Sequence, residues 1–153
     1  MYNNILLPID GSEASKRASE HAINISNING GDIIILFVLE PFIPRLPILP
    51  TATVPSPDDD YYIEVKEEGQ HIIKSFKKNL EQQCKDRCEN IRFKTLIKEG
   101  KSHVEILNTI DEKNIDLVVM GASGRHSTLD RLTLGSVTER VIREARVPVL
   151  VIP

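Results

Sequence analysis

Residues 118–142 have the sequence VVMGASGRHSTLDRLTLGSVTERVI, in which an apolar run of strand type ends at a glycine-containing loop. Gly121 and Gly124 follow the run, and Gly135 stands beside Ser136 at the start of a helical pattern. Bare backbone at a strand end, followed by the unpaired amides of a helix start, suits the binding of an anion. The first two glycines also fit a tight turn that needs positive φ, so the residues alone leave both interpretations open.

The apolar run in this stretch is one of five strand-like runs along the chain. Four of them are almost continuously apolar, which is typical of parallel strands covered on both faces by helices. Residues 91–97, IRFKTLI, alternate more and are predicted to form an edge strand. The predicted strands are residues 4–9, 33–39, 91–97, 116–121 and 147–152.

Helical patterns separate these runs, and each has one apolar face. The first helix is expected to begin at Ser12, whose hydroxyl can cap it, and the others span residues 61–88, 102–111 and 135–144. The alternation of strands and helices predicts an α/β sandwich with right-handed crossovers. The predicted apolar faces consist of Ala14, Ala18, Ala22 and Ile25; of Ile72, Phe76, Leu80, Cys84 and Cys88; of Val104, Leu107 and Ile110; and of Val137 and Val141.

Length and composition restrict the class of protein. A chain of 153 residues fits one domain, expected to span residues 1–153, with a proline-rich inserted loop at 41–60. A formal charge of −3, without basic runs, argues against nucleic acid as a partner, and no apolar stretch approaches the roughly 20 residues of a membrane span. The two cysteines are too few for a disulfide framework, and the first residues lack a signal-peptide pattern, so we expect a soluble protein of the reducing cytoplasm.

Two loops are expected to meet at one edge of the sheet. The segment PIDGS (8–12) follows the first predicted strand, and MGASG (120–124) follows the fourth. In an open parallel sheet, ligands bind beyond the carboxyl ends of the strands, where the chain order reverses. If the first and fourth strands are neighbours, both loops face one crevice, beside the helix that opens at Gly135 and Ser136.

Several segments together resemble the universal stress protein family, in its nucleotide-binding branch. They are ILLPIDGSEAS (5–15), EGKSHVEIL (99–107), DLVVMGASG (116–124), GS (135–136), VTERVI (137–142) and PVLVIP (148–153). The resemblance covers the chain outside the proline-rich loop. It implies a three-layer α/β/α sandwich of Rossmann-like type, similar to adenine nucleotide alpha-hydrolases, with a five-stranded parallel sheet in the order 3-2-1-4-5.

The resemblance also implies a ligand and its contacts. The ligand would be ATP, or ADP or AMP, with Mg²⁺ or Mn²⁺. Pro8, Asp10 and Val38 would flank the adenosine, and Asp10 would lie near the ribose or a metal ion. The remaining nucleotide-binding residues would be Met120, Gly121, Ala122, Ser123, Gly124, Arg125, His126, Ser127, Gly135, Ser136, Val137 and Thr138.

The resemblance further implies a homodimer, formed by pairing of the C-terminal strand from Val147 to Ile152 with its copy. An unpaired apolar edge strand independently invites such pairing. Other protein partners cannot be named from the sequence.

One feature departs from the family pattern of two glycines, nine residues, and then glycine with serine or threonine. Ten residues separate Gly124 from Gly135 in this chain. Three functions therefore remain in view. The leading one is an ATP-binding regulatory protein of the stress response, with at most slow hydrolysis. The others are a stress protein that binds no nucleotide and acts through partners, and an ATP-cleaving enzyme of the same fold.

Several residues also have simpler interpretations. Asp10 is suited to capping its own turn, and Ser136 to capping the fourth helix. Cys84 and Cys88 continue an apolar helical stripe, which favours core packing over metal binding. Walker, dinucleotide-fingerprint and Gly-x-Ser-x-Gly patterns are absent from the sequence, so no catalytic residue is predicted.

Overall fold

The computed structural model describes residues 1–40, 59–84, 88, 91–124 and 134–153, with side chains of the second helix described from residue 63 onward. Strands and helices alternate throughout the described chain. Their bounds are β1 Asn4–Ile9, α1 Glu13–Asn29, β2 Asp32–Leu39, α2 Asp59–Cys84, β3 Phe93–Glu99, α3 Ser102–Glu112, β4 Leu117–Gly121, α4 Ser136–Glu144 and β5 Val149–Ile152. The proline-rich segment lies outside the described residues up to position 58.

The strands form one parallel sheet in the order β3-β2-β1-β4-β5, which confirms the predicted topology. Ile5 of β1 pairs with Ile33 of β2 on one side and with Leu117 of β4 on the other. The chain order therefore reverses between β1 and β4. The predicted edge strand, β3, lies at one edge of the sheet, and β5 lies at the other.

Two apolar clusters cover the two faces of the sheet, as expected for strands that are apolar along their whole length. Ile5 and Leu7 of β1 belong to the cluster under α1 and α2, whereas Leu6 points into the cluster under α3 and α4. This alternation follows from the two-residue repeat of a strand. The result is the predicted three-layer sandwich.

Helix α1 lies close to the sheet because its inward residues are small. Ala14, Ala18 and Ala22 are all buried, as predicted. The hydroxyl oxygen of Ser12 accepts a hydrogen bond from the amide of Ser15 at 3.1 Å, which confirms the predicted cap. This close packing brings the start of α1 against the end of β4.

The inward face of α3 matches the prediction only in part: Ile110 is buried as predicted and Leu107 packs partly buried against the core. Val104 is 38% exposed, while Ile106 and Ile110 are buried against the sheet. The prediction followed a three-residue spacing, but the buried pair is four residues apart and is joined by Thr109. Thr109 is buried because its hydroxyl donates to the carbonyl oxygen of Glu105 at 2.6 Å.

Helix α2 is the longest element, and its bounds differ from the prediction. It ends at Cys84 rather than Cys88, and a disulfide joins these two residues. The sequence had suggested two core-filling thiols, and Cys84 is indeed buried. Within the described residues, none of the helices is long and apolar enough to cross a membrane.

Candidate functional site

A cavity of about 640 Å³ opens at the carboxyl edge of the sheet, between the ends of β1 and β4. Its position is the one predicted for a parallel sheet whose chain order reverses there. Most of the described site residues predicted from the sequence line it: Pro8, Asp10, Val38, Met120, Gly121, Ser123, Gly124, Gly135, Ser136, Val137 and Thr138. Arg125, His126 and Ser127 lie outside the described residues.

Ala122 is the exception among the described predicted residues, because it does not line the cavity. Its amide donates a hydrogen bond to the carbonyl oxygen of Ile152 at 2.7 Å, and its carbonyl oxygen accepts one from the amide of Gly135 at 2.8 Å. These two bonds continue the pairing of β4 with β5 and fix the start of α4. Ala122 therefore does not line the cavity but connects β4 to β5 and to the start of α4.

Asp10 caps its own turn and also lines the cavity. Its Oδ1 accepts a hydrogen bond from the amide of Ser12 at 2.9 Å, so the carboxylate caps its own turn. Gly11 lies within that turn with a φ of 81°, a conformation that favours glycine. The other carboxylate oxygen is directed at Gly124, where an added Cβ would lie 3.0 Å from it. Asp10 thus holds the β1–α1 turn and borders the cavity.

Gly121 is required by packing rather than by a special backbone conformation. A Cβ at this position would lie 2.7 Å from the Cβ of Ala14 and 2.9 Å from its carbonyl carbon. Neither Gly121 nor Gly124 has positive φ, so the tight-turn interpretation is wrong for both. The glycine lets α1 approach β4, and this approach narrows the floor of the cavity.

The amino end of α4 faces the cavity without a side-chain cap. Gly135 is the capping residue and Ser136 is the first helical residue, so the prediction of Ser136 as the cap is wrong. The amides in the first turn of a helix have no acceptor within the helix, and they carry the positive end of its dipole. The amides of Ser136, Val137 and Thr138 occupy these positions. This end of the cavity is therefore suited to a negatively charged group.

Thr138 fixes that helix end against the sheet. Its side chain is almost fully buried, and its hydroxyl donates to the carbonyl oxygen of Gly121 at 3.0 Å. This bond spans from the first turn of α4 to the last residue of β4. It holds the first-turn amides in a fixed place beside the strand end.

The opposite end of the cavity contains residues that the sequence analysis missed. A carboxylate oxygen of Glu40, Oε1, accepts a hydrogen bond from the amide of Ser102 at 2.7 Å, which satisfies the start of α3. Leu36 and Ile106 add apolar wall beside Val38. Glu40 directly follows a predicted strand at the same edge as Asp10, a signal that was overlooked because the proline-rich segment begins at the next residue.

The cavity thus has two chemically different ends. Asp10 and Glu40 supply carboxylates, while none of its described lining residues is Lys, Arg or His. An anion bound within this described wall would depend on backbone amides and the dipole of α4. An uncharged, flat group would find apolar surface between β2 and α3.

Comparison with known proteins agrees with this fold. A sequence model of the universal stress protein family matches residues 1–153. The chain is 34% identical to the universal stress protein MJ0531 of Methanocaldococcus jannaschii, over 99% of this chain and 82% of that protein. The chain belongs to the universal stress protein family.

Solved structures show the same architecture. Universal stress protein UspA from Lactobacillus plantarum matches with a TM-score of 0.71 and 26% identity, covering 99% of this chain and 98% of that one. The universal stress protein from Archaeoglobus fulgidus, solved in complex with dAMP, matches with a TM-score of 0.62 at 21% identity, over 99% and 98% of the two chains. At that lower identity the likeness concerns the fold.

Proposed function

We propose that this protein binds an adenine nucleotide, ATP or its products ADP and AMP, as a regulatory ligand in the cavity at the carboxyl edge of the sheet. The observation that carries the proposal is the pairing of an uncapped α4 start with an apolar, carboxylate-bearing opposite end in one cavity. The complex of a related protein with dAMP supports an adenine nucleotide as the ligand class.

The phosphates belong at the α4 end. The first-turn amides of Ser136, Val137 and Thr138 are placed to donate to phosphate oxygens, and Gly124 leaves the approach to them open. A helix start contributes typically about 0.3–1 kcal/mol to binding a charge, and more where the site is partly buried. Several amides acting together provide a phosphate site without a lysine.

The base and ribose belong between β2 and α3. Val38, Leu36 and Ile106 supply apolar surface for a purine ring, while Asp10 supplies a carboxylate acceptor for ribose hydroxyls. The nucleotide would therefore lie across the cavity, with its phosphates at α4 and its base between β2 and α3.

Asp10 also fits a magnesium or manganese ion that accompanies the phosphates. Such ions prefer carboxylate oxygens, with phosphate oxygens and water completing the shell. Asp10 accepts a hydrogen bond from the amide of Ser12 and lines the cavity beside Gly124. A single protein carboxylate is typical of a metal ion that arrives with its nucleotide.

We assign the nucleotide a regulatory role, with hydrolysis at most slow. The described cavity lining contains no lysine or histidine to neutralise a leaving phosphate or to shuttle a proton. Fast phosphoryl transfer depends on such groups and on bound metal ions. A turnover assay with likely acceptors is expected to show no sustained ATP cleavage on the scale of minutes, and rapid multiple turnover would instead support the enzymatic alternative.

Native mass spectrometry of the purified protein tests the binding proposal. We expect masses that correspond to protein with adenine nucleotide, and calorimetry with added ATP and Mg²⁺ should give saturable binding. Gly124→Val should lose that binding while retaining the thermal unfolding midpoint, because Gly124 lies at the cavity and is exposed. Unchanged ATP affinity in this variant would contradict the assigned phosphate site.

A second candidate function is a stress protein that acts through partner proteins without nucleotide. The ten-residue separation of Gly124 and Gly135, one longer than the family pattern, favours it. So does the use of the Gly135 amide in a bond to Ala122, which removes one possible phosphate donor. Repeated failure to retain added ATP would select this candidate.

Single-domain organisation over residues 1–153, a cytoplasmic location and a homodimer complete the proposal. For the dimer, β5 is an edge strand whose apolar residues, including Leu150 and Val151, are only partly buried. Pairing with a second copy would cover it. Sedimentation at micromolar concentration should give a dimer mass, and a monomer would contradict the proposed pairing.

A further inference from the structure

The two cysteines of the chain are bonded to each other at the far end of α2. Cys84 is the last residue of the helix and is 6% exposed, whereas Cys88 is only partly buried. Their Cα atoms are 5.0 Å apart, within the usual range of about 4.4–6.8 Å for disulfides. The amide of Cys88 also donates to the carbonyl oxygen of Cys84 at 3.1 Å, so backbone and side chains both link the two positions.

The pair lies at the amino edge of the sheet, opposite the proposed nucleotide site. The carbonyl oxygen of Cys88 accepts from the amide of Ile91 at 3.3 Å, and Arg92 then pairs with Ile33 at the beginning of β2. The cavity is lined by the other end of β2, from Leu36 to Val38. Eight residues of strand span about 26 Å. The disulfide therefore acts on the connection from α2 to β3.

We propose that Cys84 and Cys88 form a reversible dithiol–disulfide pair whose redox state sets the stability of the α2–β3 connection. This inference is independent of the proposed function. A loop of this length constrains the unfolded chain less than a long loop does, and the surrounding apolar cluster is large. The fold therefore persists in both redox states, which a reversible site requires.

The reaction partner is a small-molecule disulfide such as oxidised glutathione. The Cys88 thiol, which is the more exposed, loses its proton and attacks one sulfur of glutathione disulfide, releasing one glutathione. The Cys84 thiol then loses its proton and attacks Cys88 in this mixed disulfide, releasing a second glutathione. The protein gives up two electrons and two protons, and the oxidant becomes two thiols. Excess reduced glutathione reverses both steps.

The test uses the full chain, equilibrated in glutathione buffers from fully oxidising to fully reducing and then trapped with N-ethylmaleimide. Intact mass should change from no added label to two labels across the series. Two labels in every buffer, or none under strong reduction, would overturn the proposal. The oxidised form should also melt about 2–8 °C above the reduced form, and equal midpoints would contradict the stabilising role.

Two matched variants test the order of attack. Cys84→Ser leaves the more exposed Cys88, which should collect one glutathione from glutathione disulfide. Cys88→Ser leaves the buried Cys84, which should react at least about tenfold more slowly, because access to a thiol limits this exchange. Equal rates would contradict the assignment of Cys88 as the attacking thiol.

Hydrogen exchange locates the effect in the chain and requires no nucleotide. Reduction should increase the exchange of amides at 76–84 and 91–93, while residues 117–121 and 136–141 should be unaffected. A change in exchange centred on residues 117–121 and 136–141 would overturn the assignment to the α2–β3 connection.

Discussion

At the scale of single residues, Gly121 connects packing to the site. Its missing side chain makes room for Ala14, which lies closer than a Cβ at position 121 would allow. The same residue presents its carbonyl oxygen to Thr138. One glycine therefore positions α1 and the start of α4 around the end of β4, and any side chain there would displace both.

Gly121→Ala should destabilise the fold and thereby weaken the site. The new methyl group would meet the backbone of Ala14, which cannot rotate away. Overpacking of this kind costs about 1–3 kcal/mol in the free energy of unfolding. Urea denaturation followed by circular dichroism would measure the loss.

The matched control for this prediction is Gly124→Ala. The nearest described atom to a Cβ at Gly124 is the Asp10 carboxylate, and a side chain can move. We therefore expect a stability change below about 1 kcal/mol, in the range of substitutions outside the core. Equal destabilisation by both substitutions would contradict the packing role of Gly121.

At the scale of secondary structure, the side chain of Thr138 helps to fix α4 to β4. The Thr138 hydroxyl is buried and donates to the carbonyl oxygen of Gly121 at 3.0 Å. Thr138→Val keeps the shape but removes the donor, and loss of a partner by the partly buried carbonyl of Gly121 should cost about 1–3 kcal/mol. Thr138→Ser keeps the donor and should lose less stability than Thr138→Val, as chemical denaturation can show. The reverse order would mean that the methyl group, rather than the hydrogen bond, holds α4.

The sequence predicted the elements well where the pattern of burial was unambiguous. The first strand, residues 4–9, has the predicted bounds because it is apolar from Ile5 onward and ends at the Asp10 turn. The inward face of α3 was predicted only in part, because Thr109 is polar by type yet buried, with its hydroxyl donating to the carbonyl oxygen of Glu105. Local polarity cannot reveal a hydrogen bond within the same helix.

The candidate site was predictable to the extent that it depends on strand ends. The loops after β1 and β4 could be placed at one edge once those strands were neighbours. The role of Glu40 could not, because it depends on the distance to Ser102 across 62 residues of sequence. The position of Ala122 could not be predicted either, because its amide donates to Ile152 and this bond depends on the register of β5.

At the scale of the whole molecule, the carboxyl and amino ends of the strands carry different features. The carboxyl edge holds the cavity, while the amino edge holds charged contacts that join strands. Asp32 at the start of β2 is buried and accepts hydrogen bonds from Arg92 at 2.9 Å and Lys94 at 2.8 Å. The charged contacts of Asp32 therefore lie at the edge opposite the cavity.

The Asp32 contacts make stability depend on pH. Burial alone would raise the pKa of Asp32, but the hydrogen bonds and charges of Lys94 and Arg92 outweigh it and hold the pKa below its usual range. A carboxyl with a depressed folded pKa stabilises the fold above its unfolded pKa of about 3.9. This stabilisation is lost as the pH falls from there through the folded pKa.

Asp32→Asn should therefore be less stable at neutral pH and should show a shallower decrease in acid. We expect a loss of about 1–3 kcal/mol at pH 7, since two charge-assisted hydrogen bonds are replaced. Urea denaturation from pH 7 down to about pH 3 would measure both effects. Glu139→Gln breaks only an exposed pair with Arg143 and should change stability by less than about 0.5 kcal/mol. A wild-type acid slope in Asp32→Asn would contradict the assignment.

The central claim is that the first-turn amides of α4 bind the phosphates of an adenine nucleotide. Amide NMR spectra of the protein, recorded during titration with ATP and Mg²⁺, test it most directly. The account predicts that ATP causes the largest shifts at Ser136, Val137, Thr138 and Gly124. Saturating adenosine, which lacks phosphate, should cause smaller shifts of these amides. Lys113, at the far end of α3, should not shift. Saturating ATP that leaves the α4 amides unmoved, or shifts amides elsewhere instead, would contradict the account.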